Sequence, residues 1–243
     1  MRPAVAVVLG FVAIESGGAV AQPAALKRPD ASLITIVTLP AVAPGRPPRD
    51  RVEEAERWMI VGRDQGLAAA VADQARDPVA AATARRRAAE AWRAATAVEL
   101  PPPSAPPHRR ARALQLRMSA HAWLGDAAAA ADDAAALIAA CPGCPLAADA
   151  ELRIGERAFA AGELDAATGA FTAAATHASA GLEVRGFAHY QLAWVAHNRG
   201  DQAAVTRHLR RTLAYTASIG ARGRLMAKAA TADLATLTAS PSP

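Results

Sequence analysis

Residues 150–174 read AELRIGERAFAAGELDAATGAFTAA, and this stretch decides the fold. Small residues stand at Ala150, Gly155, Ala167 and Ala174, and larger apolar ones at Ile154, Phe159, Leu164 and Phe171. That spacing describes two amphipathic helices, interrupted at Gly162-Glu163. A glycine lets the first helix end in a left-handed conformation. The acid after it favours the start of the next helix through capping and the helix dipole.

The same turn recurs on either side, as Leu124-Gly125-Asp126 and Arg199-Gly200-Asp201, with the three glycines 37 and 38 residues apart. A period in this range marks stacked repeats. A further helix over about 221–238, with Leu225, Leu234 and Leu237, is expected to cap the stack. Composition agrees. The chain has 243 residues, 52% of them hydrophobic, but 69 are alanine and only 4% are aromatic. Alanine forms helices readily and offers little burial energy, so thick β-sandwiches, barrels and doubly wound sheets are excluded. The expected fold is all-α: an antiparallel helix-pair solenoid of three to four repeats with a C-terminal capping helix.

Before the repeats, Arg2, the apolar run 4–14 and Ala19-Val20-Ala21 fit a secretory leader over 1–21, cut before Gln22. Eleven apolar residues are too few to span a bilayer, which needs about twenty. The mature protein is therefore expected in the periplasm or outside the cell, soluble. Residues 22–49 form a Pro-rich linker with one β-prone island, Ser32-Leu33-Ile34-Thr35-Ile36-Val37-Thr38-Leu39, either docked on the helical body or loose. A first helical pair occupies 50–100. Its leading helix is expected to break or bend near Gly62 and Gly66, and Asp77-Pro78 starts its second. Pro-rich 101–107 is a spacer, and repeats and cap fill 108–239.

The middle unit resembles a tetratricopeptide (TPR) repeat. Ala150, Ile154-Gly155, Phe159, Gly162-Glu163-Leu164-Asp165, Ala167, Phe171 and Ala174 match that family's ladder in order and spacing. The third unit matches with Ala188, Leu192-Ala193, Gly200-Asp201, Val205, Leu209 and Leu213, but has Gln202 where an aromatic is usual. The first keeps Trp123, Gly125-Asp126, Ala130, Leu137 and Pro142. It has Arg117-Met118 in place of Leu-Gly, and Ala134 in place of the aromatic. The pair at 50–98 could be a degenerate copy. The phrase from Pro142 to Ala150 is similar to the inter-repeat turn of exported envelope TPR proteins of the outer-membrane assembly, cell-division coordinator and myxobacterial gliding types.

The resemblance implies that first helices line a concave groove holding a segment of a partner protein. The matching positions include Arg112 in the first unit, Glu156 and Phe159 in the second, and Phe187, Tyr190, Trp194 and His197 in the third. Tyr190 and Trp194 are four apart and share a helix face. They are either binding anchors or core packing between repeats. The family's carboxylate clamp is not reproduced, so binding of chaperone tails is not implied.

Little else carries chemistry. Cys141-Pro142-Gly143-Cys144 reads as a disulfide clipping an inter-repeat turn, with a redox pair or two thiols as alternatives. No HExxH, GxSxG, P-loop or dinucleotide fingerprint occurs, so neither enzyme activity, cofactor nor metal is expected. Asp132-Asp133 reads as a solvated acidic pair. The formal charge is +5, nearly all its positive part arginine. Arg207, Arg210, Arg211, Arg222 and Arg224 gather near the C-terminal end. They are either solvated faces or a site for an anionic envelope polymer or membrane surface. Export and the lack of interleaved aromatics disfavour nucleic acid.

Overall fold

The computed structural model of the chain describes residues 48–239. The leader expected at 1–21 and the Pro-rich stretch to residue 47, with its apolar island, lie outside them. The described residues are helices joined by turns, with no strand among them. They form two compact units that divide between Pro142 and Gly143. The first holds α1 (Arg51–Gln74), α2 (Pro78–Ala97), α3 (Pro107–Trp123) and α4 (Ala127–Ala140). The second holds α5 (Pro145–Ala160), α6 (Leu164–Thr176), α7 (Leu182–Asn198), α8 (Gln202–Ile219) and α9 (Arg224–Ala239). Within the units each helix packs on its sequence neighbour as pairs α1/α2, α3/α4, α5/α6 and α7/α8, with α9 laid on α8 and α7. The all-α helix-pair architecture read from the repeats is the one observed.

All four pairs turn the same way. The glycines of the three recognisable turns are left-handed, with φ 79° at Gly125, 82° at Gly162 and 75° at Gly200. In each, the acid's N–H donates to the carbonyl five residues back: Asp126 to His121, Glu163 to Ala158, Asp201 to Ala196. The glycine's N–H donates three back, to Ala122, Phe159 and His197. These bonds satisfy carbonyls that the helix end would otherwise leave orphaned. The α1/α2 turn repeats the pattern, Asp77 donating to Ala72 and Arg76 to Asp73. Arg76 takes the glycine's place at φ 56°. Asp77, Asp126 and Asp201 each accept a backbone N–H from the residue three ahead, at 2.9–3.0 Å. Glu163, one methylene longer, makes no such cap.

Small residues set how closely paired helices approach. A Cβ on Gly155 would lie 2.5 Å from the ring of Phe171 across the α5/α6 pair. One on Gly62 would lie 2.1 Å from Nε1 of Trp92 across α1/α2. Of the break or bend expected near Gly62 and Gly66, the break is corrected. α1 is one uninterrupted helix, and Gly62 is where an indole seats against its backbone. Trp92 then meets Trp123 edge-on, centroids 4.7 Å apart, within a small core with Met59 and Leu116.

In the second unit Ala150, Ala167, Phe171, Ala174, Ala188, Ala193, Val205 and Leu209 are all fully buried. A 3-10 turn, Gly220–Gly223, precedes α9, so the cap begins three residues later than the periodicity suggested. α9 seats Met226, Ala230, Leu234 and Leu237 on the core, while Leu225 is exposed. Gln202 donates its amide to the carbonyl of Leu237, so the residue that departs from the repeat pattern ties down the capping helix.

Candidate binding face

In the second unit the odd-numbered helices touch one another as well as their partners, α5 against α7 and α7 against α9. They form its inner layer. α5 contributes Glu156 and Phe159; α7 contributes Phe187, Tyr190, Trp194 and His197. Phe159, Phe187, Tyr190 and Trp194 are all buried, which is the core-packing alternative for these aromatics. Tyr190 is 1% exposed, and its hydroxyl donates to Asp233 Oδ2 of α9 at 2.6 Å. The capping helix therefore covers the position first assigned to a partner. Glu156 stays partly exposed and pairs with Arg153 at 2.5 Å.

Trp194 differs from the other three. It is 8% exposed, His197 packs edge-on against it at 5.7 Å, and its indole Nε1 is buried with no hydrogen-bond partner. A buried donor left unpaired costs about 1–3 kcal/mol.

Arg112 belongs to the first unit, where α3 also touches α1. Its Nε donates to Glu56 Oε1 at 2.9 Å and its Nη1 to Gln115 Oε1 at 2.6 Å. Five residues on, Arg117 makes a two-pronged contact with Asp133 of α4, and His121 Nε2 stands 3.8 Å from the same carboxylate. Asp133 is 4% exposed. The reading of Asp132-Asp133 as a solvated pair is corrected: Asp132 is exposed, Asp133 is the buried anion that answers Arg117. The signal was Arg117 itself, a charge at a position where the repeat pattern has a small apolar pair.

The structure brings His189 to His208 across the α7/α8 pair, Nδ1 to Nδ1 at 3.1 Å. The ring centroids are 5.3 Å apart, so the two nitrogens lie between the rings and point at each other. That is the geometry of an N–H···N bond, one imidazole donating and the other accepting. It requires the accepting ring to be neutral. Burial, then the neighbouring His208, Arg211 and Arg185, pull His189 down to about 4. Burial and Arg207 and Arg211 lower His208, against Asp201. Tyr215 stacks on His189 at 5.6 Å. Among the described residues no cluster of three or more His, Cys, Asp or Glu could hold a metal ion.

Cys141 closes α4 and Cys144 sits at the N-cap of α5; both are half-buried. Arg207, Arg210 and Arg211 on α8 and Arg224 on α9 are exposed. The side chain of Arg222 lies outside the described residues. No described helix is long and apolar enough to cross a membrane. Comparison of the chain with protein-family models, with curated proteins and with solved structures gives no match.

Proposed function

We propose that the chain is a non-catalytic, TPR-like scaffold of the cell envelope that holds a segment of a partner protein against the inner layer of its helix pairs. The observation that carries this reading is the orphaned indole N–H of Trp194, flanked by His197 on the inner helix α7. A bound backbone carbonyl would relieve that cost once the side chains covering the indole nitrogen move aside, and such a buried tryptophan beside partly exposed polar neighbours has the make-up of an interface anchor. The resemblance of residues 107–217 to TPR repeats supports the same reading, and the leader-like sequence over residues 1–21 supports a setting in the periplasm or outside the cell. The test is Trp194→Phe, which keeps an aromatic ring and removes the donor together with part of the indole's volume. The variant is expected to keep its helical CD spectrum and lose a partner that the wild-type chain retains on a column. Equal retention by the folded variant would refute the role of Trp194.

A second reading rests on Arg207, Arg210 and Arg211, three exposed arginines on α8 with no ion pair among the described residues. They would suit an anionic envelope polymer or lipid surface. Binding to anionic vesicles should then weaken steeply with salt and be lost on Arg210→Ser with Arg211→Ser. Binding unchanged by either would exclude it.

A further inference from the structure

α8 and most of α9 carry one sign of charge. From Gln202 to Ala232 the sequence has no Asp or Glu and six cations: Arg207, Arg210, Arg211, Arg222, Arg224 and Lys228. Arg207, Arg210 and Arg211 are exposed on α8, as are Arg224 and Lys228 on α9. Arg207 and Arg211 are four apart and share a side of the helix. His208 follows Arg207 directly, and its ring meets that of His189 on α7, Nδ1 to Nδ1 at 3.1 Å.

We propose that this basic face docks on an anionic lipid surface, and that the histidine pair behind it tightens the docking in acid. The docking rests on the second reading above, whose three arginines are its contacts. Leu225 favours a lipid surface over a soluble polymer. It is 52% exposed, directly after Arg224 and three residues before Lys228. Cations beside an exposed apolar side chain suit the boundary between headgroups and acyl chains, whereas a chain of anions offers the leucine nothing.

The acid dependence follows from the hydrogen bond between the rings. One ring donates through Nδ1–H and carries no proton on Nε2; the other accepts. A first proton on that Nε2 keeps the N–H···N bond and makes it charge-assisted. The pair can thus gain one charge while α7 and α8 stay packed; a second proton would set two donors against each other. The charged and titratable groups around the rings are Arg185 on α7, Arg207, Arg211 and Tyr215 on α8, and Asp201 at the head of α8. Burial first, then the arginines, keep the pair neutral at pH 7, with Asp201 acting the other way on His208. Lipid phosphates drawn to Arg207 and Arg211 offset the arginines' repulsion. Docking therefore favours protonation, and by linkage protonation favours docking. One charge beside an anionic bilayer strengthens binding by up to about fivefold.

The test is cosedimentation of the full chain with phosphatidylglycerol–phosphatidylcholine vesicles at pH 7 and pH 4 and constant ionic strength, with CD checking the fold at each pH. The wild type should bind, and its gain from pH 7 to pH 4 should exceed that of His189→Gln with His208→Gln by about two- to fivefold. Carboxylates that lose their charge in acid contribute equally to both proteins. Equal gains, with binding at pH 7 intact, would overturn the acid dependence and leave the second reading standing. Binding to polyphosphate but not to vesicles would overturn the lipid surface and keep the arginines as contacts. Binding to neither, at either pH, would overturn the docking and the second reading together. Should the double variant fail to fold, histidine NMR of the wild type decides. Nanodiscs containing phosphatidylglycerol should raise the titration midpoint of the pair by up to about 0.7 pH unit, the same fivefold, and phosphatidylcholine alone should not. An unmoved midpoint would overturn the acid dependence.

Discussion

Replacing Gly155 with alanine tests the close approach of paired helices most sharply, because helix propensity and packing pull in opposite directions there. In an exposed helix interior the change from glycine to alanine stabilises by about 0.5–1 kcal/mol. Gly169, exposed in the middle of α6 with nothing within 4 Å of an added Cβ, should show that gain. At Gly155 the new methyl would stand 2.5 Å from two ring carbons of Phe171. Phe171 is fully buried among Ala167, Ala174 and their neighbours, so the ring cannot swing aside. Overpacking of that kind costs about 1–3 kcal/mol. With the gap this short the upper half of the range applies, and after the propensity gain a net loss of about 1–2 kcal/mol remains. The two variants should therefore move in opposite directions, separated by about 2 kcal/mol. Urea melts followed by CD measure the difference, and hydrogen exchange on α5 and α6 peptides assigns it to this pair. A Gly155→Ala protein as stable as the wild type would refute the reasoning, since it would mean that α5 and α6 are free to part.

Breaking the buried Arg117–Asp133 pair by Asp133→Ala should cost the first unit about 3 kcal/mol, and Arg117→Met with Asp133→Leu should recover most of it; chemical denaturation of the single and double variants decides. The His189–His208 bond makes the second unit sensitive to acid. Both folded-state pKa values lie below the unfolded value of 6.5, so the unfolded chain takes up protons first. Stability is complete above pH 6.5 and declines as the pH falls toward about 4, by at most about 3 kcal/mol for the His189 shift and less because water reaches the pair. His189→Phe should flatten that decline, as melts between pH 7 and pH 4 would show. If the chain is exported, Cys141 and Cys144 should titrate as no thiols in the non-reduced mature protein and as two after reduction; two thiols before reduction would eliminate the clip.

Much of this fold was legible because backbone chemistry announces itself locally. Gly125, Gly162 and Gly200 are needed at left-handed turns, and the aspartates after two of them are needed as caps, so both kinds of residue mark the repeats directly. The first turn was harder to read because Arg76 adopts the same left-handed conformation without the glycine. Gly62 was misleading for a related reason. A glycine in a helix reads as weakness, and only the position of Trp92, thirty residues on, shows it to be a contact. The candidate face was less legible still. Helical spacing correctly set Tyr190 and Trp194 on one side of α7 but could not say that Asp233 of α9 would take the tyrosine hydroxyl. His189 found its partner nineteen residues away on another helix, a pairing that no periodicity encodes.

The central functional claim is that the inner helices, not the outer ones, hold a partner. Photocrosslinking in living cells tests it directly, with benzoylphenylalanine at His197 and Glu156 on the inner layer and at Thr172, exposed on the outer helix α6. The account predicts one protein adduct common to the two inner positions and absent from Thr172. Adducts from Thr172 alone, or the same adducts from all three, would contradict it.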